Sequence, residues 1–260
     1  MKIKANLQNL QKLLPSSWLE KLQYIHSILL FRWILHGRSQ PLACNQKSAM
    51  VFSPHQDDET LGCGGMIAQK REQGTQVVVV FVTDGQGSGG LETSRDKIIQ
   101  IRKQEALTAL SILGVAPSEI HFLQKTDGRL QELSSQEQQQ TIKQIAELIK
   151  YYQPEEIYVP HRKDCHRDHE ATYQLVKLAI FQCGIKVELL QYPIWLFWRA
   201  PLFILLKLQD ITAAYHLSIT SVQEKKARAI ASYSSQIQSL PRDFIKHFLG
   251  AYEIFFNAEL

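Results

Sequence analysis

The chain has 260 residues, of which 45% are hydrophobic and 21% charged, enough apolar material for a full core and too much for a disordered polymer. Its net charge of +4 is uneven: residues 1–50 hold seven Lys or Arg (Lys2, Lys4, Lys12, Lys21, Arg32, Arg38, Lys47) against Glu20 alone, so this segment is +6 and the remainder −2. A near-neutral body without arginine-rich or aromatic stacking motifs argues against a nucleic-acid surface. Four cysteines (Cys44, Cys63, Cys165, Cys183) with no CxxC pair argue against a disulfide framework and read as reduced thiols of a cytoplasmic protein.

In chain order, Pro15-Ser16-Ser17 with Glu20 reads as a capping box, Ser17-x-x-Glu20, that opens a helix reaching about Leu35. Trp18, Leu22, Ile25, Ile28 and Leu29 share a face, and Phe31, Trp33, Ile34 and Leu35 crowd the remainder. Arg32 interrupts the apolar run, which is too short to span a bilayer, and no small-residue cleavage site follows. Two readings remain for this segment: a helix docked on the following domain, the simpler one, or a basic amphipathic helix peripheral to an anionic membrane surface. Residues 1–45 are therefore set apart as a helical extension, with 46–260 as one domain.

From Ala49 an α/β rhythm begins. A buried strand, 49–53, leads into His55-Gln56-Asp57-Asp58-Glu59, and a helix follows from Thr60 or from Gly62, Gly64 and Gly65 to about Gln73. These glycines lack the G-x-G-x-x-G spacing of a dinucleotide site and instead permit close helix packing. The continuous apolar run 77–82 suits a parallel strand covered on both faces. The glycine-rich stretch 85–90 reads equally as a lid or a linker. Next come a helix over 93–113, a strand over 119–123, a helix over 135–152 stopped by Pro154, and a strand over 156–160. His166-Arg167-Asp168-His169 follows, then a helix over 170–183 ended by Gly184. A strand over 186–192 precedes an aromatic stretch, 193–206, with Trp195, Phe197, Trp198 and Phe203, read as core or dimer interface, or less simply as an apolar rim for a lipid-linked sugar. A strand over 211–219 and a helix over 222–233 complete the pattern. Strands alternating with helices predict a Rossmann-like α/β fold, a mostly parallel sheet flanked by helices, with ligands at the carboxyl ends of its strands.

The two His/Asp clusters carry the chemistry. Asp57, Asp58 and Glu59 repel one another unless solvated or neutralised by a cation. His55, Asp58 and His169 can supply three ligands and leave one position for water, the usual arrangement of a hydrolytic zinc site. Asp57 would then stay off the metal as general base, His166 would face a developing oxyanion, and Asp168 would orient His166. Either cluster alone is equally a solvated loop or a helix's first turn, and Glu59 fits that reading. Both together, each after a strand, favour a site. His161 and Asp164, single loop residues, read as incidental, and Cys165 as a bystander.

The pair His55-Gln56-Asp57-Asp58-Glu59 and His166-Arg167-Asp168-His169 resembles the two signatures of the PIG-L/LmbE-like family of zinc-dependent N-acetylglucosaminyl deacetylases. Thr83-Asp84-Gly85, Arg102 with Glu105 ahead of Leu113-Gly114-Val115, Asp127-Gly128-Arg129-Leu130, and Tyr233-Ser234-Ser235-Gln236 resemble further family elements in the same order, across residues 48–240. Gln56 departs from the proline or alanine usual there. The resemblance implies that His55, Asp58 and His169 bind Zn2+, or another divalent metal such as Fe2+. It makes Asp57 the base, His166 the acid or oxyanion stabiliser and Asp168 its partner. Arg102 and Asp127 would face the sugar, with an Arg102–Glu105 ion pair along the helix as the alternative for Arg102. The implied activity is removal of the acetyl group from an N-acetylglucosamine conjugate, small-molecule or lipid-linked, by zinc-activated water. A hydrolase of another amide or ester, and a non-catalytic sugar-binding protein of the same fold, are the alternatives.

Overall fold

Val77–Thr83 has no solvent-facing side: all seven residues are buried, and alternate side chains enter two separate cores. This strand, β3, sits in an eight-stranded sheet that a computed structural model describes, together with its helices, for residues 15–88, 94–201 and 204–258. The other strands are β1 (Ser39–Pro41), β2 (Ala49–Ser53), β4 (Ile120–Lys125), β5 (Glu156–Pro160), β6 (Glu188–Tyr192), β7 (Ala214–Ser218) and β8 (Tyr252–Asn257). Their order is β1-β7-β8-β6-β5-β2-β3-β4. All neighbours pair in parallel except β8, which is antiparallel to both β6 and β7. A mostly parallel Rossmann-like sheet is thus what the alternation predicted. The closing antiparallel strand was not anticipated.

One face of the sheet, with Val51, Val79, Phe81 and Tyr158, is covered by α2 (Asp58–Glu72), α3 (Arg95–Leu113), α7 (Gln223–Ala231) and α9 (Arg242–Phe248), with the short helix α8 (Ser234–Ile237) packed beside them through Ile237. The other face, with Met50, Val78, Val80 and Ile157, is covered by α4 (Ser135–Tyr152) and α5 (Arg167–Cys183). A third cluster seats α1 (Ser16–Gly37): Leu30 and Ile34 are buried against Leu196 and Phe197 of the short helix α6 (Leu196–Arg199) and against Ile254 and Phe256 of β8. Burying each such aliphatic side chain contributes about 1.5–3 kcal/mol.

Three helix starts differ from the sequence pattern, each for a local reason. Helix α1 has Pro15 at its cap, whose carbonyl accepts from Trp18 and Leu19 N–H; Ser17 is already inside the helix, so the expected Ser17–Glu20 box does not form. Helix α2 begins at Asp58, before the glycines, because Asp58 and Glu59 occupy a first turn where the dipole favours carboxylates. Helix α5 begins at Arg167, three residues earlier than its apolar pattern, because His166 caps it by accepting from Asp168 N–H at 3.3 Å. Helix α3 starts at Arg95; Thr93, Gly89, Gly90 and Phe203 lie outside the described residues.

The glycines of α2 act through close approach. A Cβ on Gly62 would lie 2.3 Å from the Tyr192 ring and one on Gly65 2.4 Å from the Ile219 side chain, whereas Gly37 faces open space. Tyr192 is held in place because its hydroxyl donates to the Phe52 carbonyl at 2.8 Å. Gly62→Ala and Gly65→Ala are each expected to destabilise the fold by about 1–3 kcal/mol through overpacking. Gly37→Ala should change stability little. Denaturant midpoints of the three variants measure this, and equal midpoints would refute the close-packing role of α2.

Candidate metal centre and cleft

Strand order reverses between β2 and β5, with β3 and β4 on one side and β6 on the other. A crevice forms at such a switch point beyond the carboxyl ends of the strands. His55–Glu59 leave β2 there and His166–His169 follow β5, so the two clusters converge because their strands are neighbours.

They converge on one oxygen. Asp58 Oδ2 lies 3.0 Å from His55 Nδ1 and 3.2 Å from His169 Nε2. Burial alone would raise the Asp58 carboxyl, yet His169 and His55 hold it well below its usual range. Conversely, burial would lower His169, but Asp58 and Asp164 hold it up at about 9. The pocket therefore favours positive charge between these groups, as a cation would provide. His169 Nε2 is buried and makes no well-aligned hydrogen bond, although Asp58 Oδ2 lies within 3.2 Å. An imidazole nitrogen without a well-aligned hydrogen bond, beside a carboxylate oxygen and a second imidazole, is a donor set that fits a divalent metal.

The outward nitrogens of both imidazoles are held by carboxylates. His169 Nδ1 is 2.7 Å from Asp164 Oδ2. His55 Nε2 is 3.2 Å from Asp168 Oδ2 and 3.2 Å from Asp127 Oδ1. This arrangement fixes the orientation of both rings and raises the basicity of their remaining nitrogens. It corrects two expectations. Asp168 faces His55 and touches His166 only through its own backbone N–H, while its oxygens accept from Gly128 N–H at 2.7 Å and Leu130 N–H at 3.1 Å. Asp164, read as incidental, is fully buried and also accepts backbone N–H from Ile194, Trp195 and Leu196 at 2.9, 3.0 and 2.9 Å. No sequence signal separates this role from that of a loop aspartate. His161 is structural: buried, with Nε2 at 3.0 Å from the Asp210 carbonyl.

Asp57 caps α2 with φ 146°, a conformation strained for a side-chain-bearing residue. Glu59 sustains it. Its buried carboxylate accepts from Asp57 N–H at 3.1 Å, from Thr60 Oγ1 at 2.6 Å and from the Tyr233 hydroxyl. Glu59 is thus more than a helix first-turn acid. Burial and repulsion from Asp58 raise the Asp57 carboxyl to about 7, against the pull of Arg102. Arg102 donates to Gln56 O at 2.9 Å and Gly85 O at 3.1 Å and lies 3.5 Å from Asp57 Oδ1. The alternative Arg102–Glu105 pair does not form; Glu105 instead accepts from Ser234 Oγ and from Ser235 N–H and Oγ at 3.1, 2.8 and 2.6 Å. Burial, with His169 and His55 nearby, lowers His166 to about 3. Gln56, the departure from the family pattern, donates to the Thr83 carbonyl at 2.9 Å and so braces the β2 loop against β3.

These groups open onto a cleft of about 360 Å3. His55, Asp57, Asp58, Arg102, Asp127 and His166 line it, and Asp168 and His169 are buried behind them. The opposite lining is apolar: Leu61, Ile194, Trp195, Leu240 and Phe244. Trp195 stacks on Phe244 at 4.2 Å between centroids and under the Arg199 guanidinium at 3.7 Å. The aromatic stretch therefore contributes a cleft wall as well as core, and Phe244 went unnoticed in the sequence because nothing local sets it apart.

The family model for GlcNAc-PI de-N-acetylase (PIG-L) matches residues 50–180. An uncharacterized deacetylase of Escherichia coli, YaiS, is 30% identical over 53% of this chain and 70% of its own. Diacetylchitobiose deacetylase of Thermococcus kodakarensis is 27% identical over 73% of this chain and 70% of its own, and 4-oxalmesaconate hydratase of Pseudomonas putida 29% identical over 55% and 56%. Among solved structures, N,N'-diacetylchitobiose deacetylase from Pyrococcus horikoshii matches with a TM-score of 0.63 and 22% identity, over 82% of this chain and 84% of that one, a likeness of fold. A zinc-inhibited form of a teicoplanin deacetylase matches with a TM-score of 0.63 at 19% identity, over 81% of this chain and 97% of that one. With half of its length matched by the family model and its two His/Asp clusters meeting at the switch point of the sheet, the chain belongs to the GlcNAc-PI de-N-acetylase (PIG-L) family.

Proposed function

We propose that this protein is a zinc-dependent amide hydrolase that removes the acetyl group from an N-acetylglucosamine-type conjugate. The observation that carries the reading is the convergence of two buried imidazole nitrogens, His169 Nε2 and His55 Nδ1, on the single oxygen Asp58 Oδ2, with His169 Nε2 making no well-aligned hydrogen bond. His55, Asp58 and His169 would hold the metal. When bound, a divalent cation at this position polarises a carbonyl and makes a water acidic at neutral pH.

The remaining steps belong to the chain's own groups. Asp57 Oδ faces the cleft and takes the proton of the attacking water, with Glu59 and Arg102 maintaining its position. The His166 ring, its Nδ1 engaged by Asp168 N–H, presents its Nε2 edge for a hydrogen bond to the oxyanion. The departing amine regains a proton from Asp57 or His166. Asp168 and Asp127 position His55, and the stacked Trp195 offers a sugar or aglycone an apolar face.

The hydratase among the relatives supports a rival reading, addition of water to a carboxylated substrate. Cleft charge argues against it: Arg102 is the one Lys or Arg among its described lining residues, against Asp57, Asp58 and Asp127. A neutral amino-sugar suits that lining better than a polycarboxylate.

Acetate release from a panel of N-acetylglucosamine conjugates, with an unsaturated dicarboxylate included, tests the proposal. Asp57→Asn is expected to lower turnover by about 10²–10⁴-fold with zinc content unchanged. Hydration of the dicarboxylate with no acetate from any conjugate would overturn the deacetylase reading. A second outcome concerns Asp164. Asp164→Asn removes the charge on His169 Nδ1 and is expected to weaken zinc affinity by about 10–100-fold, read by chelator competition. Unchanged affinity with a lowered unfolding temperature would reduce Asp164 to a loop brace.

A further inference from the structure

Helix α1 presents a surface that neither the fold nor the cleft uses. Its inner side is packed: beyond Leu30 and Ile34, the Phe31 ring meets Phe197 at 6.2 Å and His247 at 4.8 Å. Its outer side carries Trp18, Leu22, Ile25 and Leu29, which are 66, 53, 54 and 63% exposed. Their spacing places all four on one stripe of roughly three turns. Scattered exposed hydrophobics need no explanation, but an aligned row of four large ones does. The stripe is accompanied by cations. Lys21, Arg32 and Arg38 are exposed on or just beyond the same helix, and Glu20 is the one acid in residues 1–50. No helix among the described residues is long and apolar enough to cross a membrane.

We propose that the outer face of α1 is a docking surface for an anionic lipid bilayer. The helix lies in the plane of the membrane, with Trp18, Leu22, Ile25 and Leu29 at the headgroup boundary and Lys21 and Arg32 at the level of the lipid phosphates. Charge singles out this occupant: residues 15–38 carry Lys21, Arg32 and Arg38 against Glu20 alone, a net +2 beside the stripe, while residues 51–260 total −2. A second copy of the chain is disfavoured on two grounds. Four side chains fall short of the roughly 800 Å2 that each partner buries in a stable pair. Arg32 also continues the stripe, so self-pairing would desolvate a charge at its edge. The docked helix is packed on α6, next to Trp195, and on α9, which carries Phe244, so the membrane-facing element directly backs the aromatic wall of the cleft.

Co-sedimentation of the full chain with vesicles tests this, and needs no substrate. The protein is expected to pellet with phosphatidylglycerol–phosphatidylcholine vesicles and to stay in the supernatant with phosphatidylcholine alone. High salt should weaken the binding. Trp18→Ser combined with Ile25→Ser, both at exposed positions, is expected to abolish pelleting while leaving circular dichroism unchanged. Lys21→Glu with Arg32→Glu should weaken it by about tenfold or more. The proposal is overturned if the wild type ignores anionic vesicles, or if pelleting survives both variants. A dimer seen by light scattering that the serine variant dissociates, with no vesicle binding, would assign the stripe to a second copy.

Discussion

A single carboxylate oxygen joins the two halves of the site. Asp58 Oδ2 sits within 3.2 Å of imidazole nitrogens from both clusters, and it can do so because β2 and β5 are parallel neighbours whose following helices begin inside the two motifs. Asp58 lies in the first turn of α2 and His169 in the first turn of α5, so two helix N-termini face the same buried space. The register of β2 against β5, Val51 opposite Tyr158, therefore governs where these side chains meet. A slip of one residue along either strand would turn the adjoining side chains to the other face of the sheet.

Concentrating charge in this way is unfavourable in isolation, since each carboxylate taken from water carries a large desolvation penalty. The fold answers with backbone. Asp164 accepts three N–H groups, Asp168 two, and Glu59 holds the strained Asp57 peptide with help from Tyr233 and Thr60. Each of these acceptors also ties a different loop to the site. Through Asp164 the His169 ring and the Trp195 wall share one anchor, so the charged and the apolar sides of the cleft are positioned together. Rigidity of this kind holds reacting groups at near-productive separations before a ligand arrives.

The late part of the chain supplies what the parallel unit lacks. Strand β8 inserts antiparallel between β6 and β7, and α9 leads into it with Phe244 stacked on Trp195. Helix α1 closes the far end over β8 and α6, so the first and last elements of the described chain share one cluster. The cleft wall and the basic N-terminal helix are consequently parts of one block.

Local pattern determined much of this protein. Alternation of apolar runs with amphipathic stretches set the α/β class, and the bounds of β2, α4 and β5 follow from their flanking turn residues. The candidate triad and Asp57 stood out because their residue types cluster within a few positions after a strand, where charge repulsion itself asks for a cation. Only the tertiary structure decided what depends on contacts between distant segments. It paired Asp168 with His55, gave Asp164 to His169, sent Glu105 to Ser234 and Ser235 and left Arg102 to the β2 loop. It also moved the starts of α2 and α5 back into the motifs, because a helix begins where its first N–H groups and dipole find partners, and those partners here are the site residues themselves.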